Sequence, residues 1–325
     1  MTPAPRAGAG DASPSLPRRA KGPLARAASW TLVAATLGFV AWAFWAGWPR
    51  LAGHDWDVRP AGLVASTLLL SVVLASATLV WSRVLLSMGA PGVPARTLLR
   101  IWFHSNLARY VPGKIWQFVA AADLARSRGL APATMLVSLV VAMGFFLLGA
   151  AVVALAALGL PGLPRSPVTA AVAALAALAL VHPRAVAAAL RLVPRRAADV
   201  EWRGTWLGGA AILGLGVAYW IANGAAFALF LDSVVGTPAG AFRALVGANA
   251  AAYLVGYLVV VAPAGLGFRE ATLTALLGGI LGSGLGDDRA LALGAVAALA
   301  SRLWMVIAEL IGAAGALALD APRER

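Results

Sequence analysis

The sequence predicts an all-α polytopic membrane protein, and its composition gives the first reason. Of the 325 residues, 61% are hydrophobic and only 12% are charged, whereas soluble globular domains are about 45–50% apolar and about 25% charged. The mean hydropathy is +0.84. Several apolar runs also reach the roughly 20 residues that a helix needs to cross the hydrocarbon core of a bilayer. A soluble helical bundle of this length could not bury so much apolar surface.

The basic charge and the residue types that are absent narrow the function further. The formal net charge is +13, but no base-reading motif accompanies it, so we expect no nucleic-acid partner. Basic residues on cytoplasmic loops beside anionic lipid explain the charge better. The chain has no cysteine, which excludes disulfides and thiolate metal sites. Because His54, His104 and His182 lie far apart in the sequence, we expect no metal site and no cofactor.

The elements follow one another as a tail and a series of apolar runs. Residues 1–28 have the composition of a disordered basic cytoplasmic tail, and residues 320–325 form a second cytoplasmic tail. Between them, residues 29–319 are predicted to form the membrane domain, beginning with a retained signal anchor. About eight transmembrane helices are predicted, at 29–48, 61–82, 132–160, 166–181, 205–231, 241–261, 271–285 and 289–319.

The distribution of basic residues predicts the orientation. Of the 26 Lys and Arg residues, 20 fall on the two tails and on alternate connections, five fall on the other connections, and Arg302 lies within a helix. Because cytoplasmic loops carry an excess of Lys and Arg, both termini are predicted to be cytoplasmic. The protein would then cross the membrane several times.

The run "NLARYVPGKIWQF", residues 106–118, breaks the apolar pattern. Basic residues flank it on both sides, so residues 97–126 are expected to enter and leave on the cytoplasmic side. A re-entrant helix pair near 101–120 fits, because irregular backbone at membrane depth must be buried or line a wet cavity. An amphipathic hairpin on the membrane surface is the alternative. The run combines two cations, a Pro-Gly break and three aromatic residues, namely Arg109, Lys114, Pro112, Gly113, Tyr110, Trp116 and Phe118.

A second break occurs in "VAPAGLGFREATL", residues 261–273. Paired Gly/Pro-broken segments in two halves of a membrane protein point to a central binding site, and the two halves, 29–181 and 205–319, are predicted to form a loose, parallel repeat. A helix that starts at Gly113 or Gly267 would offer unpaired N–H groups to an anion. The second break, near 262–270, contributes Pro263, Gly265, Gly267, Arg269 and Glu270.

These side chains predict a clamp for a lipid headgroup. Arg109, Lys114 and Arg269 would add full charges to the helix ends, and Tyr110 and Trp116 would pack at headgroup depth. The alternative is that the cations only reach toward water along the membrane surface and that the aromatic residues form an interfacial belt.

Two further ionisable residues lie within the last apolar run. Arg302 and Glu309 are seven residues apart and therefore share a helix face, about 10 Å from each other. Because intramembrane charges usually face a bundle interior, we expect them to pair with Glu270 and Arg269 or to carry coupled protons; the alternative is that Arg302 reaches water by tilt. Interhelical hydrogen bonds are expected for two polar residues in other runs, Asn223 and Asn249.

The two broken segments together resemble the flippase-like membrane domain of the lysylphosphatidylglycerol synthase family. The resemblance covers about residues 30–319 and rests on Arg-Tyr-x-Pro-Gly-Lys-x-Trp at 109–116 and Gly-x-Gly-x-Arg-Glu at 265–270. It implies a bacterial or archaeal inner-membrane protein associated with moving aminoacylated or other anionic lipids between leaflets. The motif positions that it implies are Arg109, Tyr110, Pro112, Gly113, Lys114, Gly265, Gly267, Arg269 and Glu270.

No enzyme activity is expected from the sequence. Family members that synthesise the lipid carry a large soluble domain after the membrane part, and here only six residues follow the last predicted helix. The sequence also lacks the Gly-rich loop followed by Lys-Ser/Thr that ATP hydrolysis would need. A stand-alone lipid transporter, binding a phospholipid or a lipid-linked substrate, is therefore the expected function.

Two other functions stay open at this point. One is an accessory protein that positions a membrane or cell-envelope enzyme. The other is a small glycosyltransferase that uses lipid-linked sugars through Asp55 and Asp57 of the "HDWD" run, which we expect instead to be a solvated turn. The sequence does not indicate the lipid, the direction or coupling of transport, or whether the chain forms a homo-oligomer.

Overall fold

The computed structural model describes residues 45, 56, 58–108, 121–122, 131–159, 166–191, 200–258, 267–282 and 286–319. Within these residues every regular element is a helix, which confirms the all-α class. The nine helices are α1 (Pro60–Ser87), α2 (Ala95–Ala108), α3 (Pro132–Leu158), α4 (Pro167–Leu180), α5 (Pro183–Leu190), α6 (Trp206–Val235), α7 (Phe242–Leu258), α8 (Phe268–Leu281) and α9 (Asp287–Ala318).

Four of the described helices are long and apolar enough to cross a membrane, namely α1, α3, α6 and α9. Helices α4 and α5 are joined at a bend of 61° and would add a fifth span if they are counted as one. The predicted number of eight is not confirmed. Helices α7 and α8 have 17 and 14 residues, so α8 extends only about 21 Å against a hydrocarbon core of about 30 Å. The predicted first span, 29–48, lies outside the described residues apart from Trp45.

Local sequence signals set many of the helix ends. Helices α1, α3, α4 and α5 each begin with proline, whose fixed φ suits the first helical position and whose missing N–H costs nothing there. The Ser166 hydroxyl accepts from the N–H of Thr169, and the Thr205 hydroxyl accepts from that of Gly208. Each of these caps satisfies one of the N–H groups that a helix start leaves unpaired.

Helices α1 and α6 run antiparallel and are fastened at both ends. At one end, the Arg203 N–H donates to the Ser87 carbonyl at 2.7 Å, and at the other the Arg59 N–H donates to the Ser233 carbonyl at 2.8 Å. The Arg59 guanidinium also forms an ion pair with Asp232, at 2.7 Å between Nη2 and Oδ2. The Asp232 carboxylate further accepts from the N–H and hydroxyl of Thr237, which holds the turn that leads to α7.

Close backbone contact joins two other helix pairs. A methyl group at Gly149 of α3 would lie 2.8 Å from the carbonyl carbon of Gly216 in α6, so the two helices approach too closely there for a side chain at position 149. At Gly294 of α9 a methyl group would lie 2.5 Å from the Thr274 carbonyl oxygen and 2.9 Å from the Gly278 nitrogen of α8. Small residues at such contacts are typical of membrane helix packing, where dispersion replaces the hydrophobic effect.

The buried apolar residues form three described clusters. The largest joins α8 and α9 to α1, α2, α6 and α7; the second joins α1, α2, α3, α4 and α6; and the third joins α3, α6 and α7. Trp102 of α2 packs against both of the first two clusters, and Tyr219 and Val217 of α6 pack against both of the last two. Polar residues gather where these clusters meet.

Candidate functional site

A cavity of about 50 Å³ lies between the last turn of α2 and the start of α8. Asn106, near the end of α2, and Arg269, at the start of α8, both line it. The Pro-Gly break of the first run follows Asn106, and the Pro and Gly residues of the second run precede Arg269. Helices α1, α2, α3, α6, α7, α8 and α9 supply the lining, which comprises Leu74, Trp102, Phe103, Asn106, Met143, Phe146, Tyr219, Trp220, Asn223, Asn249, Tyr253, Arg269, Met305 and Glu309.

The start of α8 is shaped by Gly267. Its φ of +87° lies in the region that glycine adopts without steric cost, and the helix begins at the next residue. The N–H of Gly267 donates to Glu270 Oε2 at 2.9 Å. This is one half of a capping box, because glycine has no side chain to return the bond. The helix start was expected to offer its N–H groups to an anion, but the Gly267 N–H is already occupied by Glu270.

Glu270 stands between two arginines. Its Oε1 lies 2.7 Å from Arg302 Nη1 and 3.5 Å from Arg269 Nη1. All three side chains are largely buried, with exposed fractions of 9%, 14% and 7% for Glu270, Arg302 and Arg269. The expected pairing of Glu270 with Arg302 is therefore confirmed. These three residues, which we call the charge triad, carry one net positive charge when all are ionised.

Arg269 and Glu270 are adjacent on α8, and their side chains lie together although neighbouring positions on a helix point in different directions. Glu270 Oε1 lies near both Arg269 and Arg302. The physical reason is the cap. Because Glu270 bends back to the Gly267 N–H, its carboxylate lies over the first turn, where the side chain of Arg269 also begins.

Arg269 has hydrogen-bonding capacity left over. Its residue is 6% exposed, and its Nε and Nη1 form no hydrogen bond within the described part of the chain. Gly256 of α7 lies directly against Arg269, since a methyl group there would lie 2.8 Å from the Arg269 Cβ. A guanidinium carries five donors in a planar fork. The cavity therefore presents a buried cation whose 3.5 Å contact with Glu270 leaves donors unused.

Other polar residues surround Arg269 in the cavity. Asn249 Nδ2 donates to Asn223 Oδ1 at 2.7 Å, which confirms the predicted interhelical bond between α6 and α7. Glu309 of α9 is 3% exposed and lines the same cavity. Arg302 lies two turns before Glu309 on the same helix and reaches Glu270 instead. The cavity thus carries a cationic and an acidic side chain together with amide groups.

Aromatic rings enclose the cavity in a continuous chain. Successive ring centroids are 4.7–6.3 Å apart, within or near the range of favourable aromatic contacts. The chain crosses α1, α2, α3, α6 and α7. Its members are Trp81, Trp102, Phe146, Tyr219, Trp220, Tyr253 and Tyr257.

The sequence did not single out this chain of aromatic residues, although one signal was available. Tyr219 and Asn223 are four residues apart in α6, and Asn249 and Tyr253 are four apart in α7. Polar and aromatic residues at that spacing lie on one helix face and mark the face turned toward the cavity. Asn106 lay inside the first broken run and was not assigned to the site.

Several predicted site residues lie outside the described part of the chain. They are Arg109, Tyr110, Pro112, Gly113, Lys114, Trp116 and Gly265, together with Asp55 and Asp57 of the alternative function. The helix ends that border the two breaks are described, and these ends converge on the cavity. The headgroup clamp at 106–118 and its surface-lying alternative stay predictions.

No protein-family model matches the sequence, and no curated protein or solved structure matches it either. The functional interpretation therefore depends on the geometry of this cavity and on the resemblance of the two short motifs.

Proposed function

We propose that the chain is a membrane protein that binds the phosphate of an anionic or aminoacylated phospholipid at its broken helices and moves that lipid between leaflets. This is the function that the resemblance to the flippase-like domain of the lysylphosphatidylglycerol synthase family implies. One observation carries the proposal: Arg269 is buried, lines the cavity, and keeps two guanidinium nitrogens without a hydrogen bond among the described residues.

The energetics of a buried cation support a ligand at this position. A charge at the centre of a bilayer costs about 2.5–3.5 kcal/mol on insertion scales, and each buried donor without a partner adds about 1–3 kcal/mol. Glu270 offsets this cost only in part, because its nearest oxygen is 3.5 Å from Arg269 and 2.7 Å from Arg302. A phosphate oxygen would satisfy the remaining donors of Arg269 through charge-assisted bonds.

The arrangement of the helices supports transport rather than static binding. Transporters commonly place the substrate near the bilayer midplane, between interrupted helices. Here Arg302 lies at the middle of α9, and Glu270 brings the start of α8 to that depth. The last turn of α2 reaches the same cavity through Asn106. A lipid phosphate bound at Arg269 would therefore be held between the two leaflets.

A reconstitution experiment tests this function. The purified protein is placed in liposomes that contain a fluorescent phosphatidylglycerol, and transfer between leaflets is followed by chemical quenching of the outer leaflet. We expect lipid transfer with the native protein. Arg269→Lys keeps the charge but loses the planar fork that grips phosphate, so transfer should fall by about tenfold or more, which corresponds to about 1.4 kcal/mol.

The matched control is Arg59→Lys, since Arg59 also forms a 2.7 Å ion pair but is half-exposed and does not line the cavity. It should leave transfer unchanged. Absence of transfer with the native protein would contradict the proposal. Equal transfer by the Arg269→Lys variant and the native protein would show that the guanidinium of Arg269 does not recognise the phosphate.

A further inference from the structure

A second cavity of about 220 Å³ adjoins the first. It lies over the middle of α3, between the last two turns of α2 and the end of α7. The two cavities share Trp102, Asn106, Met143 and Phe146, so they are separated by little more than the Trp102–Phe146 ring contact, whose centroids are 6.0 Å apart. We call this second cavity the side groove.

The side groove opens laterally. Val140 is 53% exposed and Tyr257 is 37% exposed, and at Gly144 a methyl group would meet no atom within 4 Å. Gly144 lies near the middle of α3, roughly 18 Å from one end and roughly 21 Å from the other at 1.5 Å per residue. Since α3 is one of the candidate membrane spans, the opening is at the depth of the lipid hydrocarbon.

The lining of the side groove is suited to hydrocarbon. Val140, Met143 and Leu147 of α3 form its floor with the open face of Gly144. The Ser105 hydroxyl and the Asn106 amide each donate to the Trp102 carbonyl of their own helix at 3.0 Å, so these bonds keep them directed along α2. None of the described residues that line the side groove is charged, so they offer a water-soluble anion no counter-charge, whereas an acyl chain would be solvated there as it is in the bilayer.

We infer that the side groove holds an acyl chain of the same lipid whose phosphate binds at Arg269. This inference deepens the proposed function and rests on it, because it assigns the phosphate to a membrane lipid rather than to a soluble phosphate compound. The lipid enters sideways between α2 and α7, with its headgroup end passing Trp102 and Phe146 and its chain remaining over Gly144. Side-chain volume at position 144 therefore limits binding.

Photolabelling tests the location of the chain without requiring transport. The probe is a phosphatidylglycerol that carries a diazirine near the middle of one acyl chain, and adducts are mapped by mass spectrometry on the reconstituted protein. We expect adducts on residues 139–147. Gly144→Leu should lower them about tenfold, the loss that corresponds to displacing about two buried methylene groups.

Gly214→Leu is the matched control. Gly214 is also an exposed glycine inside a long helix, and a methyl group there would likewise meet no atom within 4 Å, but it does not line the side groove. It should label and transport like the native protein. Gly144→Ala, which adds one methyl group to open space, should keep most of the labelling. Equal thermal melting of the two leucine variants shows that Gly144→Leu is folded.

The outcomes separate this inference from the proposed function. Suppose that lipid transfer depends on Arg269 but is unaffected by Gly144→Leu, and that the adducts lie away from 139–147. This result would overturn the inference that the side groove holds an acyl chain, and the proposed function would stand. Adducts at 139–147 that Gly144→Leu removes, in a protein that transfers no lipid, would support the side groove and refute transport. Binding of glycerol 3-phosphate that is lost in Arg269→Lys, with no labelling at 139–147, would assign the site to a soluble anion and overturn the inference.

Discussion

Two ion pairs of equal length differ in how deeply they are buried. Arg59 and Asp232 meet at 2.7 Å at one end of α1 and α6, with side chains 48% and 37% exposed, and Arg302 and Glu270 meet at 2.7 Å with side chains 14% and 9% exposed. The exposed pair is solvated by water when it opens. The buried pair has no such alternative, because separating it leaves charges in a low-dielectric interior. The comparison teaches that burial, rather than distance, decides how strongly each pair constrains the fold.

The largest difference is expected when one acid is neutralised. Glu270→Gln keeps the shape of the side chain but leaves Arg269 and Arg302 close together without a counter-charge, so we expect a loss of about 3–5 kcal/mol in the free energy of unfolding. Asp232→Asn should cost about 0–1 kcal/mol. Denaturant unfolding in mixed micelles measures both. Equal losses would show that Glu270 is not the counter-charge of a buried cluster.

Double-mutant cycles sharpen the comparison. If Glu270 and Arg302 depend on each other, the double variant Glu270→Gln/Arg302→Gln should be more stable than the sum of the single losses predicts, by about 1–3 kcal/mol. The cycle of Arg59→Gln and Asp232→Asn should show a coupling below about 1 kcal/mol. Additive losses in the first cycle would contradict the Glu270–Arg302 pair and make Arg269 the main partner of Glu270.

Packing behind the charge triad is expected to matter less than its charges. Gly256→Ala would push on the Cβ of Arg269, so we expect a loss of about 1–3 kcal/mol, as for other additions to a packed interior. Gly279→Ala in α8 adds a methyl group where no atom lies within 4 Å, and it should raise stability by about 0.5–1 kcal/mol because alanine favours a helix. A neutral Gly256→Ala would mean that α7 does not position Arg269.

Salt gives the smallest expected effect. Raising the ionic strength from about 0.1 M to 1 M shortens the screening length from about 10 Å to about 3 Å. The coupling between Arg59 and Asp232 should fall by a few tenths of a kcal/mol, within the range of surface pairs, whereas that between Glu270 and Arg302 should stay constant. The two cycles repeated at both salt concentrations measure this. A salt-sensitive Glu270–Arg302 coupling would place that pair in contact with water.

The sequence predicted the long helices and the pairing of buried polar groups, because both follow from strong physical constraints. Helices α1, α3, α6 and α9 match long apolar runs. The pairing of Glu270 with Arg302 could be predicted because a buried charge requires a counter-charge. Hydropathy also predicted spans at 241–261 and 271–285, where the described helices α7 and α8 have 17 and 14 residues, and these two spans stay predictions. The helix start considered at Gly267 agrees with the structure, in which Gly267 is the N-cap of α8 with a φ of +87°.

The charge triad and the aromatic chain show why the rest of the site was harder to predict. The position of Arg269 beside Glu270 depends on a cap bond to one backbone N–H. The aromatic chain joins residues from five helices, such as Trp81 and Tyr253, that are distant in the sequence and meet only in the folded bundle. The roles predicted for Arg109 and Lys114 remain to be tested by substitution.

The backbone contact at Gly294 has a mechanical consequence. Because α8 and α9 touch there without intervening side chains, and Glu270 joins Arg302 further along, the two helices act as one stiff lever. A conformational change that separated them would have to break both fastenings at once. The contact of Trp102 with Phe146, between α2 and α3, is made by two rings instead, and rings can slide past each other without breaking a backbone contact or an ion pair.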